Sequence, residues 1–223
     1  MTDHRSRFLS LALRAEALRF GAFTLKSGRE SPYFFNAGRF DSGAALAGLA
    51  ACYADAVDAA GLDYDLLFGP AYKGIPLATA LACALAESGI DVPVAFNRKE
   101  AKDHGEGGLL IGAPMQGRRV LVVDDVITAG TAIREALALI RDAGGIPAGI
   151  VIGLDRQEVV RDGDPRSAAQ AVAAEHGVPV VSVAALSDLL AFTADAPELA
   201  DARRALEDYR QRYGVDRTDP ESR

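Results

Sequence analysis

An α/β fold with a central parallel sheet flanked by helices is predicted by three features of this chain. Short apolar runs rich in β-branched residues recur along it, most clearly Val120-Leu121-Val122-Val123. Such unbroken runs suit strands buried on both faces. Between them lie stretches with helical spacing; Ile133, Ala136, Leu137 and Ile140 fall at i, i+3, i+4 and i+7. The alternation of the two is the βαβ pattern that builds parallel sheets.

The elements follow in order. Phe8, Leu11, Ala15 and Leu18 mark a first amphipathic helix; Leu46, Leu49, Tyr53 and Val57 mark a second. The stretch between them contains Gly21, Gly28 and Pro32 and reads as short strands and turns. Residues 66–68 form an apolar strand that stops at Gly69-Pro70, and an Ala- and Leu-rich helix covers about 75–87. Short strands follow at 93–96 and 120–123, then at 149–154 and 178–183. A polar helix spans 197–213, and the tail, about 216–223, frays from 218. Residues 162–174 carry no motif that fixes their geometry.

The chain has 223 residues, enough for one domain (1–223) with a sizeable core and too few for a second independent one. No run approaches the roughly 18 apolar residues of a membrane span. The start, Met1-Thr2-Asp3-His4-Arg5, lacks the apolar core of an export signal, so a cytoplasmic location is expected. Cys52 and Cys83, isolated in apolar helical surroundings, read as reduced core thiols. A net charge of −7 argues against general nucleic-acid binding, which needs a basic footprint. Any anion site must therefore gather positive charge locally.

The chemistry concentrates after the run at 120–123. Asp124 and Asp125 stand at its carboxyl end, where open α/β sheets bind ligands. Thr128-Ala129-Gly130-Thr131 then leads into the helix. Backbone N–H groups at the helix start can hold a phosphate, with hydroxyls of Thr128 and Thr131 adding donors. Gly130 lets the backbone approach the anion. A plain βα turn with a threonine N-cap and two solvated aspartates would use the same residue types. The full order, however, closely resembles the 5-phosphoribosyl-1-diphosphate (PRPP) signature of the type I phosphoribosyltransferases. The resemblance implies that Asp124 and Asp125 bind the ribose hydroxyls. It also implies that Val126, Ile127, Thr128, Ala129, Gly130, Thr131 and Ala132 wrap the 5′-phosphate.

Further blocks, in order, resemble the orotate phosphoribosyltransferase branch of that family. They are Phe23-Thr24-Leu25-Lys26-Ser27-Gly28, Ser31-Pro32-Tyr33-Phe34-Phe35-Asn36, Phe68-Gly69-Pro70-Ala71-Tyr72-Lys73-Gly74, the polar run from Phe96 to Gly108, and Leu154-Asp155-Arg156-Gln157-Glu158. The likeness runs from Phe8 to about Val215 and implies the type I phosphoribosyltransferase fold, with residues of about 1–40 forming a small hood. It implies transfer of the phosphoribosyl group from PRPP to orotate, giving orotidine 5′-monophosphate and diphosphate in pyrimidine biosynthesis, with Mg²⁺. No direct protein ligand to the metal is expected, because magnesium keeps phosphate oxygens and water.

The resemblance places the remaining roles. Residues of about 98–108 would be a mobile lid, with Arg98, Lys99, Lys102 and His104 reaching the diphosphate. Part of the lid would act across a homodimer interface. Lys102 would be the main catalytic cation, with Lys99 and Asp125 also catalytic. Tyr72, Lys73 and Lys26 would contact PRPP. Phe34, Phe35 and Thr128 would shape the orotate pocket, and Arg156 would grip the carboxylate that other bases lack. Taken alone, the polar run is equally a solvated loop, Lys73 a surface lysine at a turn, Phe34-Phe35 a core pair, and Arg156 a salt-bridge partner of Asp155 or Glu158. Two competing functions are transfer to another base, such as a purine, and non-catalytic nucleotide sensing on the same fold.

Overall fold

The computed structural model describes residues 3–25, 27–102, 108–161, 164–194 and 196–215. Its elements are α1 (His4–Arg14), β1 (Leu18–Thr24), β2 (Glu30–Phe35), α2 (Gly43–Ala59), β3 (Leu66–Gly69), α3 (Gly74–Glu87), β4 (Val94–Lys102), β5 (Gly108–Gly112) and β6 (Arg119–Asp124). There follow α4 (Thr131–Asp142), β7 (Ile146–Asp155), β8 (Val159–Arg161), β9 (Asp164–Ser167), α5 (Ala168–His176), β10 (Val180–Ala185), α6 (Leu186–Ala194) and α7 (Ala200–Tyr213). The central sheet has the order β10-β7-β6-β3-β4-β5. Every neighbouring pair is parallel except β4 with β5.

Side-chain alternation in the sheet divides the core into two layers. Leu121 and Val123 of β6 face a cluster containing Phe8, Leu49, Tyr53, Leu81 and Leu189. Val120 and Val122 face the other, with Ile133, Leu137, Ile140 and Val172. Burial on both faces explains why β6 reads as an unbroken apolar run.

The topology fixes where a ligand can sit. β3 leads through α3 to β4 on one side, and β6 leads through α4 to β7 on the other. The crossovers diverge between adjacent strands β3 and β6, with α3 and α4 packed on opposite layers. A crevice at the carboxyl ends of those two strands is the switch point of an open α/β sheet.

Outside the sheet, β1 and β2 form an antiparallel hairpin with a bulge between Phe20 and Phe23. Ser31, Tyr33 and Phe35 alternate inward along β2. Phe35 packs on Phe8 at 5.9 Å and Tyr33 meets Tyr209 of α7 edge-on at 6.2 Å.

Four expectations change, the first being that Leu18, read as part of the first helix, begins β1 because α1 ends at Arg14. Residues 98–102, read as loop, continue strand β4, and Leu109 to Ile111 form an unforeseen partner strand β5. The polar residues of β4 suit its position beside the edge strand β5, and the pairing is irregular between Asn97 and Lys102. Cys52 is buried, but Cys83 is exposed on the outer face of α3, so only the first is a core thiol. The strand expected at 178–183 begins at Val180, just past Pro179, which has no N–H to give a ladder.

Candidate active site

Asp124 ends β6 and Asp125 begins the turn, both nearly buried. They are held by backbone on both sides. The Tyr53 hydroxyl donates to the Asp124 carbonyl at 2.8 Å. The Asp125 carbonyl accepts from the amides of Gly153 and Leu154 at 2.9 and 3.2 Å. Each carboxylate accepts the next amide, Asp125 N–H to Asp124 and Val126 N–H to Asp125, both at 2.9 Å. These aspartates are therefore not a solvated pair. Burial, and next the charge of Asp125, raise the Asp124 carboxyl from its ordinary 3.8 to about 7; the Asp125 amide and Lys73 pull the other way.

The turn after the pair opens into an uncapped helix start. Ile127 is buried in the core and anchors the loop, so it can offer a ligand only its backbone. Thr128, Ala129, Thr131 and Ala132 are exposed, while Val126 is half-buried. The helix N-cap is Gly130, not a threonine, in the left-handed conformation at φ 75°, and no side chain caps the first turn of α4. A Cβ at Gly130 would also lie 2.9 Å from Val172 Cγ2. The first amides of α4 thus remain open to a phosphate.

The second loop, after β3, faces the first. Lys73 Nζ donates to Asp125 Oδ2 at 2.7 Å, joining the two loops across the crevice. The Ala71–Tyr72 peptide is cis. Ala71 N–H donates to the Asn97 side-chain oxygen at 2.9 Å, tying this loop to β4. Tyr72 is exposed, and Lys99 Nζ stands 5.0 Å from its ring centre. Arg98 Nη1 donates to the Gly108 carbonyl at 3.3 Å across the base of the β4–β5 arm. Arg98, Lys99, Tyr72 and Lys73 therefore gather on one edge of the crevice. Lys26 and His104 lie outside the described residues, as does the Lys102 side chain, although the Lys102 backbone pairs with Gly108. A groove of about 430 Å³ shares Ala71, Arg98, Lys99 and Ala132 with this edge but runs along α4 to Asp142, away from the acidic pair.

Residues 40–163 match the phosphoribosyl transferase domain family. The orotate phosphoribosyltransferase of Xanthomonas euvesicatoria pv. vesicatoria (strain 85-10) is 74% identical over 98% of this chain and 100% of its own. The chain belongs to the orotate phosphoribosyltransferase family. A crystal structure of the Francisella tularensis orotate phosphoribosyltransferase matches with a TM-score of 0.84 at 42% identity, over 93% of this chain and 98% of that one. The Mycobacterium tuberculosis H37Rv orotate phosphoribosyltransferase crystallised in complex with PRPP matches at 29% identity and a TM-score of 0.63. It covers 82% of this chain and 98% of that one.

In an orotate phosphoribosyltransferase the pocket for the base is the remaining question. Phe34 and Phe35 point to opposite faces of β2: Phe35 into the core, Phe34 half-buried and 5.5 Å from Phe23. They are not a core pair, and only Phe34 is placed to line a cavity outside the core. Arg156, just past β7, is nearly buried, and its Nε donates to Glu158 at 2.7 Å. The ion pair with Glu158 is therefore real, though not on the surface.

Several members of this site were invisible as such in the sequence. Arg134 of α4 donates to the Ala129 carbonyl at 2.7 Å and is itself gripped by Glu175 of α5, Nη2 to carboxylate at 2.8 Å. This contact steadies the turn before α4 from behind. Its only sequence signal is a basic residue in the first turn of α4. Tyr53 and Asn97 likewise act from distant segments.

Proposed function

We propose that this chain transfers the 5-phosphoribosyl group of PRPP to orotate, giving orotidine 5′-monophosphate and diphosphate in pyrimidine biosynthesis. The observation that carries the reading is the pair of facing loops at the switch point, acidic pair and uncapped α4 on one, Lys73 on the other. The 74% identity to an orotate phosphoribosyltransferase supports it independently. Asp124 and Asp125 accept hydrogen bonds from the ribose 2′ and 3′ hydroxyls. The amides from Val126 to Ala132, with the hydroxyls of Thr128 and Thr131, hold the 5′-phosphate. Binding the ribose through Asp125 releases Lys73 toward the diphosphate.

In the reaction the bond from the anomeric carbon to diphosphate breaks while a bond to orotate N1 forms, and N1 gives up its proton. Positive charge grows on the ribose and negative charge on the leaving group. Arg98, Lys99, Lys102 and His104 stabilise the departing diphosphate, with Tyr72 and Lys26 completing the PRPP contacts; such preorganised charge is the dominant catalytic term. Lys102 carries the largest share. A buried carboxylate pair is a hard-oxygen surface compatible with Mg²⁺, which supplies charge neutralisation to the diphosphate when bound. Closure of the hood, about residues 1–40, and of the lid, about 98–108, excludes water from the reacting carbon.

The direct test follows orotate absorbance with purified protein, PRPP and Mg²⁺, with uracil and adenine in parallel. Loss of orotate that needs both PRPP and metal is expected. Turnover of adenine alone would keep the fold and reject the pocket.

The working unit of this reading is a homodimer in the cytoplasm, each lid serving the partner's site. Exposed Tyr72 and Leu109 beside the lid stem offer apolar surface for a second copy to cover. No helix among the described residues is long and apolar enough to cross a membrane. Mixing Lys102→Ala chains with Arg156→Ala chains, at an orotate concentration too low to saturate the latter, should raise activity above either alone as subunits exchange, because one of the two sites then has intact parts. Exchange without recovery would place the lid in its own subunit's site.

A further inference from the structure

The environment of Arg156 assigns a task to the carboxyl-terminal helix that reading the site as a list of ligands leaves out. The guanidinium is held from three separate elements. Nε donates to Glu158 Oε1 at 2.7 Å. Nη2 donates to Ser31 Oγ of β2 at 3.1 Å and reaches the Tyr209 hydroxyl of α7 at 3.4 Å. Its Cζ lies 4.3 Å from the centre of the Tyr33 ring, which Tyr209 meets edge-on. Nη1 has no hydrogen-bond partner among the described residues.

The turn that carries Arg156 is fastened to the same helix end. Val215 N–H donates to the Gln157 carbonyl at 2.9 Å, and Glu158 bridges Gly214. Arg29 lies 4.9 Å from the Tyr213 ring centre while donating to the Val159 carbonyl at 2.7 Å. Gln157 sits at φ 50°, a conformation an ordinary residue keeps only when its surroundings hold it there. Its side-chain oxygen accepts from Ser187 N–H at 2.9 Å, adding α6 to the fastening.

We propose that α7 and the residues just after it are a positioning device for base specificity, with Tyr209 and Ser31 fixing Arg156 so that only its Nη1 edge meets the substrate. This rests on the reading of Arg156 as the orotate carboxylate partner. An arginine has five N–H donors in a rigid fork. Here Glu158, Ser31 and Tyr209 occupy the Nε side and Nη2. The substrate's carboxylate therefore meets the Nη1 end, and a two-bond grip through Nε is not available while Glu158 holds it. A floppy arginine would have to be ordered by each substrate molecule; one already immobilised spares that cost.

The test measures KM for orotate and PRPP, and the orotate-over-uracil preference, in Tyr209→Phe, Ser31→Ala, Arg156→Ala and the Tyr209→Phe/Arg156→Ala double variant. Tyr209→Phe and Ser31→Ala should each raise the orotate KM about three- to tenfold, the size of one ordinary hydrogen bond. The orotate-over-uracil preference should fall by the same factor, with the PRPP KM unchanged. Tyr209→Phe should add nothing once Arg156 is alanine. A raised orotate KM in Arg156→Ala with no change in either Tyr209→Phe or Ser31→Ala would overturn the positioning role alone. An unchanged orotate KM in Arg156→Ala would overturn the substrate assignment beneath it. A Tyr209→Phe effect that persists without Arg156 would show a general packing defect and reject the proposal.

Discussion

Asp125→Asn should lower kcat/KM for PRPP by about a hundredfold or more, the loss of one or two charge-assisted hydrogen bonds. It should also move the pH dependence of PRPP binding to lower pH. Asp125 is the partner of Lys73 at 2.7 Å, the joint between the two loops proposed to cradle PRPP. Its charge also raises the Asp124 carboxyl, second only to burial. In the native protein Asp124 stands at about 7, so the carboxylate that ribose binding needs is incomplete at mildly acid pH. PRPP should therefore bind more tightly as pH rises through about 7 and displace a proton as it does so. Removing the neighbouring charge lets Asp124 ionise earlier, and the released Lys73 can pull in the same direction.

The linkage to folding has a definite sign. A carboxyl whose folded value is raised contributes stability that is fully present below its unfolded value and is lost as pH rises through the folded one. For Asp124 the window runs from about 3.8 to about 7. Thermal unfolding of Asp125→Asn across that range should show a smaller loss with rising pH than the native protein. Calorimetric binding of PRPP in buffers of different ionisation enthalpy reads the proton release directly. A pH profile that does not move would separate Asp124 from PRPP binding; an unchanged kcat/KM would remove Asp125 from the site.

What the sequence exposes depends on how local the physics is. The segment from Val120 to Ile140 is legible because strand, acidic pair, turn and helix are contiguous, and each has its own short-range signal. The Lys73–Asp125 joint joins positions 52 residues apart, and nothing in either segment announces the other. The same holds for Tyr53 with Asp124 and for Tyr209 with Arg156, 71 and 53 residues apart. The β4–β5 arm is hidden for a different reason: most of residues 97–102 are polar, and the Leu109-Leu110-Ile111 run between Gly108 and Gly112 is too short to stand out as a strand by itself. Residues 164–176 did carry a readable signal. Ser167 and Gln170 form a capping box, each side chain bonding the other's backbone amide, and that spacing alone marks the start of α5. Cys83 was misread because an Ala- and Leu-rich helix hides which of its faces is outward; the low contrast around α3 leaves its rotation to tertiary packing.

Gly74→Ala should damage the cradle. A Cβ at Gly74 would lie 2.5 Å from Pro70 Cδ, 2.7 Å from the Val123 carbonyl oxygen and 2.9 Å from the Gly69 carbonyl carbon. The last two are backbone atoms of β6 and β3, the adjacent central strands, and the first belongs to a rigid ring. None can swing aside as a surface side chain would. The clash is relieved only by moving the start of α3 away from the sheet, and the turn from Pro70 to Lys73 must move with it. That shift draws Lys73 away from Asp125 and opens the crevice on its diphosphate side. Overpacking of this kind costs about 1–3 kcal/mol, which for a chain of this size lowers Tm by roughly 2–12 °C. The functional loss should be selective: PRPP KM raised at least about tenfold, since a displaced Lys73 forfeits a charge-assisted contact, with orotate affinity much less affected. Gly43→Ala supplies the control, since a Cβ there meets nothing within 4 Å at the start of α2, and alanine suits a helix better than glycine. It should leave both constants unchanged and Tm equal or higher. A Gly74→Ala chain with native PRPP affinity would mean that the β3–α3 turn moves without consequence, and Lys73 would lose its place in the site.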